Sequence, residues 1–235
     1  MSLLPYISDA VFLQTVKKVL DVGMDAIAKA DRAFNRNVID PFSMLFEMGS
    51  FGLDEASWLQ NEKNRQAQKT LSNSIGLLHQ GILGAVQGWQ DLHTGGLVDV
   101  VNTEQEIIAE IKNKYNTVKG SDLIGIYQGL SDLIMPKGQQ YRGYTAYYVE
   151  IIPKSPKRYN RCFTPSNRAT GTLAPENERI RQIDGASFYA LATGHENALE
   201  MLYDKLPQAM QQCYPDMPKW DTAKVKRYFH QAFGG

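Results

Sequence analysis

The sequence predicts a single α/β domain whose N-terminal part is helical, and three observations carry this prediction. Apolar residues recur at three- and four-residue steps in residues 11–27 and 71–85, which is the spacing of helices with one buried face. Residues 97–115 and 144–152 are instead rich in β-branched and aromatic residues, as strands are. No internal repeat divides the chain, so helices and strands are expected to share one fold.

The composition is that of an ordinary globular protein and excludes several other classes. The chain has 235 residues, of which 43% are hydrophobic and 21% are charged, so wholesale disorder is excluded. Its two cysteines are too few for a disulfide scaffold or a four-cysteine zinc site, which indicates a reducing compartment. No apolar run approaches the ~20 residues of a membrane span, so we expect no membrane partner.

The helical part is expected to contain two long segments. The first should end before Asp40-Pro41, because a residue that precedes proline is disfavoured in helical conformation. Asp54 is the expected N-cap of the next helical stretch, since its carboxylate can accept hydrogen bonds from the first free backbone N–H groups.

The sheet is expected to begin with a β-hairpin over residues 97–115, with its turn at 102–105. Ser121 is expected to cap a helix that runs to about residue 133. The remaining elements are two more strands at 144–152 and 179–184, followed by two helices at 197–211 and 222–233.

Three polar side chains of this hairpin point to chemistry. Side chains alternate along a strand, so Glu110 and Lys112 project together while their neighbours face a core. A charged pair on an otherwise apolar strand is costly unless it is used. Asp99, on the other strand, can bring a second carboxylate to the same place. Two close carboxylates repel each other and a divalent cation relieves that repulsion, and with oxygen ligands the expected ion is Mg²⁺.

This arrangement predicts hydrolysis of a nucleic-acid backbone. A divalent metal activates water and polarises a phosphoryl oxygen. Lys112 can orient the attacking water or stabilise the negative charge that develops on the phosphate. The same spacing occurs often by chance, and it also describes a solvent-facing hairpin whose ion pair contributes little to stability.

Four blocks of the chain, from about residue 37 to residue 206, carry a more specific signal. They are Asn37-Val-Ile-Asp-Pro-Phe42, the helical stretch 61–80 that begins with Asn61-Glu62, Ala109-Glu110-Ile111-Lys112-Asn113-Lys114 with its continuation to Gly120, and Asp184-Gly-Ala-Ser-Phe-Tyr-Ala-Leu-Ala-Thr-Gly194. In this order the blocks resemble one family of type II restriction endonucleases, the PD-(D/E)XK superfamily enzymes that cut at GGNCC.

The resemblance implies the PD-(D/E)XK nuclease core, a mixed central sheet flanked by helices, with Asp99, Glu110 and Lys112 as catalytic residues. It implies Mg²⁺ held by Asp99 and Glu110, with Glu62 as a further ligand, because superfamily members often supply another carboxylate from an N-terminal helix. Glu62 equally fits a solvated helix face. Val98 stands where the superfamily often has proline, a departure that concerns the backbone more than the chemistry.

A basic segment is the expected DNA-binding surface. Residues 137–182 hold nine basic residues against three acidic ones, whereas the whole chain has a formal net charge of zero. Arginine to guanine is the commonest direct base contact in the major groove, which suits a G·C-rich target. A flexible surface loop is the alternative. The residues expected to face DNA are Arg158, Arg161, Asn167 and Arg168, with Lys114 and Lys119 near the cleavage point.

The sequence is therefore expected to encode a type II restriction endonuclease that makes Mg²⁺-dependent double-strand cuts in double-stranded DNA, at GGNCC or a close variant. A symmetric target needs an active site for each strand, so we expect a homodimer. The resemblance also implies a cognate methyltransferase in the same host, and the cytoplasm of a bacterium or archaeon. The alternatives are a structure-specific repair or recombination nuclease on the same core and a non-catalytic DNA-binding protein.

The whole chain, 1–235, is expected to form one nuclease domain. Its parts are a mainly helical flank at 1–90, a catalytic core at 95–152, a DNA-recognition segment at 153–182 and C-terminal helices at 183–235.

Overall fold

A computed structural model of the chain describes residues 2–93 and 96–234. Its strands are β1 (Gln90–Asp91), β2 (Val100–Asn102), β3 (Ile107–Lys114), β4 (Thr145–Ile152), β5 (Asn160–Cys162), β6 (Ser166–Asn167), β7 (Thr172–Leu173) and β8 (Ile180–Asp184). Six of them form one sheet in the order β1-β2-β3-β4-β8-β5, and β6 pairs with β7 in a separate hairpin.

The helices surround this sheet. They are α1 (Asp9–Ala28), α2 (Ala30–Phe34), α3 (Pro41–Phe51), α4 (Glu55–Gly84), α5 (Leu123–Ile134), α6 (Gly185–Thr193), α7 (Ala198–Cys213) and α8 (Thr222–Phe233). Among the described residues, no helix combines the length and the apolar character that crossing a membrane requires.

Two apolar clusters bury the two faces of the sheet. Alternation along β3 directs Ile107, Ala109 and Ile111 to the first face, where they pack with residues of α1, α4, α6 and α7. Ile108 points to the second face, where α5 covers it with Leu130 and its neighbours. A mixed sheet flanked by helices, preceded by a helical N-terminal region, confirms the predicted fold class.

The predicted hairpin is present and sets the register of the sheet. β2 and β3 are antiparallel, with Val100 opposite Ala109 and Asn102 opposite Ile107. The Asn102 side chain accepts a hydrogen bond from the Gln105 backbone N–H (2.9 Å), which closes the turn. β3, β4 and β8 run parallel to one another, so their carboxyl ends meet at one edge of the sheet.

Aspartate side chains cap two of the N-terminal helices, and one of these caps was predicted. Asp54 accepts a hydrogen bond from the Ser57 N–H (2.8 Å) and caps α4, as predicted. Asp40 accepts one from the Phe42 N–H (2.9 Å) and caps α3. The first long helix ends at Ala28, well before Asp40, and the short helix α2 lies between these two residues.

Some local predictions were wrong or incomplete. Ser121 does not cap α5: the N-cap is Asp122, and the Ser121 hydroxyl donates to the Asp122 carboxylate (2.9 Å). The sequence pattern also did not indicate the short elements β1, β5, β6, β7, α2 and α6, nor helix α3. Strands of two or three residues and a short helix of small residues are too brief for a periodic pattern to stand out.

Replacing Gly185 with alanine is expected to destabilise the fold by about 1–3 kcal/mol, because a Cβ at this position would lie 2.6 Å from the Cα of Ile151 in the central strand β4. For a chain of this size, that lowers the melting temperature by roughly 2–4 °C for each kcal/mol. Thermal and urea unfolding would measure the loss. Gly76→Ala on α4 is the matched control, since its Cβ would contact nothing within 4 Å and alanine favours the helix. Equal stability of the two variants would contradict the steric argument.

Candidate active site

Asp99 and Glu110 face each other across the hairpin. Because Val100 pairs with Ala109, extending the register by one residue sets Asp99 opposite Glu110. The Asp99 N–H donates to the Ala109 carbonyl oxygen (2.8 Å), which continues the ladder. Directly opposed side chains of such a pair have Cβ atoms about 4.5–5.5 Å apart. The two carboxyl groups are accordingly within hydrogen-bonding reach of each other.

Backbone contacts hold Asp99 although it lies in a bend just before β2. One of its carboxylate oxygens accepts a hydrogen bond from the Ile111 N–H (2.6 Å). Its backbone carbonyl accepts another from the Leu92 N–H (2.9 Å). The orientation of the Asp99 carboxylate is therefore fixed by the strand that carries Glu110.

Lys112 adds a positive charge beside the two carboxylates. It lies two residues after Glu110 on β3, on the same face, and its ammonium forms an ion pair with the Glu110 carboxylate. The side chains of Lys112 and Glu110 are 27% and 14% exposed, so the pair is largely desolvated yet can still be reached from solvent.

The pKa values of the two carboxyl groups are raised. Burial raises the pKa of Glu110 to about 7, and the negative charge of Asp99 adds to the rise, while the Lys112 ammonium opposes it. Burial also raises the pKa of Asp99, against the hydrogen bond from Ile111. Near neutral pH the pair therefore shares a proton that a cation between the two groups would displace.

The sheet face around the pair becomes polar at the carboxyl ends of the parallel strands. The second apolar cluster buries the N-terminal parts of these strands, at Ile108, Ala146 and Ile180. Two residues further along each strand, the side chains on the same face become polar. Its side chains there are Glu110, Lys112, Tyr148, Glu150 and Gln182. Open α/β sheets bind ligands outside the carboxyl ends of their strands, so this polar face is a suitable position for a substrate.

Asp91 lies close enough to Asp99 for its charge to act on that carboxyl group, and sequence reasoning missed both Asp91 and its partner Gln80. The register sets Asp91 opposite Val100, on the α4 side of the sheet and not on the face of Glu110. Asp91 is on β1, and its charge contributes to the raised pKa of Asp99. The Gln80 amide of α4 donates to the Asp91 carboxylate (2.9 Å). Gly84 allows this approach, since a Cβ there would lie 2.5 Å from the Asp91 Cβ. Asp91 belongs to a two-residue strand, so only the tertiary structure reveals it.

Tyr148 and Glu150 of β4 complete the polar face and were also missed. In the parallel register Tyr148 pairs with Glu110, and Glu150 pairs with Lys112. The Tyr148 hydroxyl is buried and has no hydrogen-bond partner in the part of the chain that the structure describes. Burial and the charges of Glu150 and Glu110 raise its pKa. Glu150 accepts a hydrogen bond from the Tyr159 hydroxyl, and burial raises the pKa of this carboxyl group.

Glu62 lies away from this cluster. It precedes Gln80 by eighteen residues on α4, which corresponds to about 27 Å along the helix axis. Its buried carboxylate accepts hydrogen bonds from the Arg65 guanidinium (2.7 and 2.8 Å) and the Gln66 amide (2.8 Å). The structure does not bring Glu62 to the carboxylate pair of the same chain, and its role as a metal ligand stays a prediction.

Part of the predicted DNA-binding set lies on the same side of the sheet as the carboxylates. Arg161 on β5 pairs with Gln182 and donates to its side-chain oxygen (3.2 Å), so it faces the way that Glu110 does. Arg168 is exposed in the turn of the β6–β7 hairpin. Asn167 accepts a hydrogen bond from a backbone N–H of that turn (3.0 Å), which shapes the loop that presents Arg168.

The other predicted DNA contacts are more dispersed. Arg158 pairs with Glu196 and donates to the Ser187 hydroxyl (3.2 Å), so its guanidinium is engaged by the α6–α7 region. Lys114 is exposed at the end of β3, on the side of Glu110 and Lys112, and Lys119 is exposed in the loop that follows. Contact of these residues with DNA stays a prediction.

The side chains present fit a hard divalent cation that keeps part of its water shell. Asp99 and Glu110 offer carboxylate oxygens, the ligand type that Mg²⁺ prefers. Within residues 2–93 and 96–234, no group of three or more His, Cys, Asp or Glu side chains is placed to hold one metal ion. Two carboxylates leave positions for water and phosphate oxygens, which is how Mg²⁺ is usually bound at phosphate sites.

Comparison with known proteins identifies the family. The model of the Eco47II restriction endonuclease family matches residues 4–214. The type II restriction enzyme Eco47II of Escherichia coli is 50% identical over 211 residues, which cover 90% of this chain and 88% of the relative. The type II restriction enzyme Sau96I of Staphylococcus aureus is 31% identical over 180 residues, 75% of this chain and 67% of the relative. The resemblance carried by the four sequence blocks is thereby confirmed, and the chain belongs to the Eco47II restriction endonuclease family, whose enzyme class is that of the type II site-specific deoxyribonucleases.

Proposed function

We propose that the chain cuts both strands of DNA at GGNCC, or at a close variant of that site, by Mg²⁺-dependent hydrolysis of the phosphodiester bond. The observation that carries the proposal is the close pairing of the Asp99 and Glu110 carboxyl groups, with Lys112 beside them, on a polar part of the sheet that solvent reaches at Lys112 and Glu110. Membership of a family of restriction endonucleases supports DNA as the substrate.

Each of the three residues has a distinct role in this proposal. Asp99 and Glu110 hold the metal through their carboxylate oxygens. When bound, Mg²⁺ supplies Lewis-acid activation of water and of the phosphate. The Lys112 ammonium, which pairs with Glu110 in this structure, stabilises the negative charge that develops on the phosphate oxygens.

DNA crosses the face that carries Arg161 and Arg168, with Lys114 and Lys119 near the scissile phosphate. Arg158 is held by an ion pair with Glu196, and Asn167 shapes the turn that presents Arg168, so in this proposal both are secondary to Arg161 and Arg168. The proposal includes a homodimer, since each strand of a symmetric target needs its own active site. It also includes a cognate methyltransferase in the same bacterial or archaeal cytoplasm, and one nuclease domain over residues 1–235.

Replacing Arg161 or Arg168 with alanine is expected to weaken binding to the target site by roughly 5- to 150-fold, if the arginine contacts a base, with little effect on folding. A gel-shift titration at fixed salt measures this loss, and a melting curve checks the fold. Arg227→Ala, an exposed arginine on α8, is the control for the removal of one positive charge. Unchanged affinity in both variants would reject this part of the DNA surface.

Digestion of a sequenced plasmid tests the function directly. With Mg²⁺, we expect discrete fragments whose mapped ends fall in GGNCC-type sites, and no cutting with EDTA. A smear, or preferred cutting of branched DNA, would instead indicate a repair or recombination nuclease. DNA binding without any cutting would indicate a non-catalytic DNA-binding protein.

A further inference from the structure

Helix α3 leaves an unusual amount of apolar surface uncovered. None of its eleven residues, Pro41–Phe51, is buried. Phe42, Leu45 and Phe46 recur at the spacing of one helix face and are 74%, 66% and 75% exposed, and Val38 just before the helix is 99% exposed. We call these four residues the α3 face. A helix that is apolar on nearly every side is normally buried in a larger body, so the α3 face lacks a covering element.

The α3 face belongs to an arm outside the two apolar clusters of the sheet. Only the C-terminal end of α4, at Leu78, Ile82 and Leu83, contributes to them. The N-terminal half of α4 contacts α2 and α3, where Lys63 pairs with Asp31 and Trp58 packs on Phe34. There the Trp58 indole N–H donates to the Glu47 carboxylate (2.9 Å), which fixes α3 on α4 and leaves the α3 face directed outward.

We propose that the α3 face is the surface on which two copies of this chain associate. This inference rests on the proposed function, because cutting both strands of DNA requires two active sites. Phe42 and Phe46 alone expose roughly 200–400 Å². With Leu45 and Val38 the α3 face exceeds the few hundred Å² that a monomer usually exposes in one patch. One partner of a standard interface buries about 800 Å², so the α3 face would supply a substantial part of such an interface.

The chemistry of the α3 face favours a second copy over DNA. Glu47 is the single charged residue between Pro41 and Phe51, and it is already engaged by Trp58 and by the Ser43 hydroxyl (3.2 Å). DNA needs cations on the protein, and the α3 face offers none. Two identical apolar faces related by a two-fold axis can meet without desolvating a charge.

The test is the self-association of the full-length chain, measured by sedimentation equilibrium from about 0.1 to 50 µM. We expect the unmodified chain to be a dimer in this range. The double variant Phe42→Glu/Phe46→Glu places four charges in the interface by symmetry, and should weaken association by at least about 1,000-fold to give a folded monomer. Leu45→Ser is a milder second variant, and Tyr228→Glu, which alters a 55% exposed side chain on α8, is the control that stays dimeric.

Each outcome separates this surface from the proposed function. A dimer that survives both α3-face variants overturns the assignment, and so does an unmodified monomer that still cuts GGNCC sites. An unmodified monomer that binds phospholipid vesicles through Phe42 and Phe46 overturns it in favour of a membrane surface. A dimer that dissociates on these substitutions but never cuts DNA supports the α3 face and refutes the proposed function. Far-UV circular dichroism confirms that each variant is folded, as expected for substitutions outside both apolar clusters.

Discussion

Glu110→Gln is expected to lower the rate of DNA cleavage by at least about 1,000-fold, because the amide keeps the shape of the side chain and removes the negative charge that a metal ion needs. Single-turnover cleavage of a plasmid with one target site would measure the loss. Asp99→Asn and Lys112→Met should each cause a loss of similar size, since the three groups act as one unit and their effects should not add when the substitutions are combined.

The matched control is Glu104→Gln in the turn of the same hairpin, where the side chain is exposed and lies outside the polar face. This variant should cut at the unmodified rate. Gel-shift titration without Mg²⁺ should show that Glu110→Gln still binds the target, so the lost activity would reside in the chemical step. Normal cleavage by Glu110→Gln would refute the assignment of the active site.

The hairpin could be predicted because its information is local. Alternation along residues 107–112 places Glu110 and Lys112 on one face and Ala109 and Ile111 on the other, and a period of two leaves no further choice once the strand is recognised. The position of Asp99 near Glu110 could be predicted because a short turn joins the two strands. In the structure it lies one residue outside β2, yet the extended register still brings it to Glu110.

The other polar groups near the pair depend on contacts between distant segments. Gln80 reaches Asp91 because Gly84 lets β1 approach α4, and no pattern within either segment encodes that approach. Glu150 lies in a strand that reads as continuous apolar core, so its position beside Lys112 follows only from the β3–β4 register. Glu62 lies on the helix where a further carboxylate was expected. The length of α4 nevertheless places it far from the Asp99–Glu110 pair, and the sequence pattern does not show this distance.

The same distinction applies to the basic segment. Its charge could be counted from the sequence, but the direction of each arginine could not. β5 joins the edge of the sheet and turns Arg161 toward the face of Glu110, whereas Arg158, just before this strand, pairs with Glu196 in the α6–α7 connection. The net charge of a segment therefore indicates a candidate DNA surface. The strand register decides which of its arginines point to the face of Glu110.

Metal binding and stability should both change with pH because the Glu110 pKa is raised to about 7 by burial and by the Asp99 charge. A cation must displace the proton, so its affinity should fall about tenfold per pH unit below pH 7 and level off above pH 8. Calorimetry with Mn²⁺ or Mg²⁺ between pH 6 and 8.5, in buffers of different ionisation enthalpy, would measure the affinity and the proton released.

The effect on stability has the opposite sign in the metal-free protein. The folded state binds the Glu110 proton more tightly than the unfolded chain, whose pKa is near 4.5, so this contribution to stability is lost as pH rises from about 4.5 to 7. The melting temperature of the unmodified protein should therefore fall relative to Glu110→Gln between pH 5 and pH 8. Added Mg²⁺ should restore it at pH 8 for the unmodified protein alone, because the ion binds the folded state. Parallel melting curves for the two proteins across this range, without metal, would contradict a raised Glu110 pKa and remove the electrostatic reason for a cation between these carboxylates.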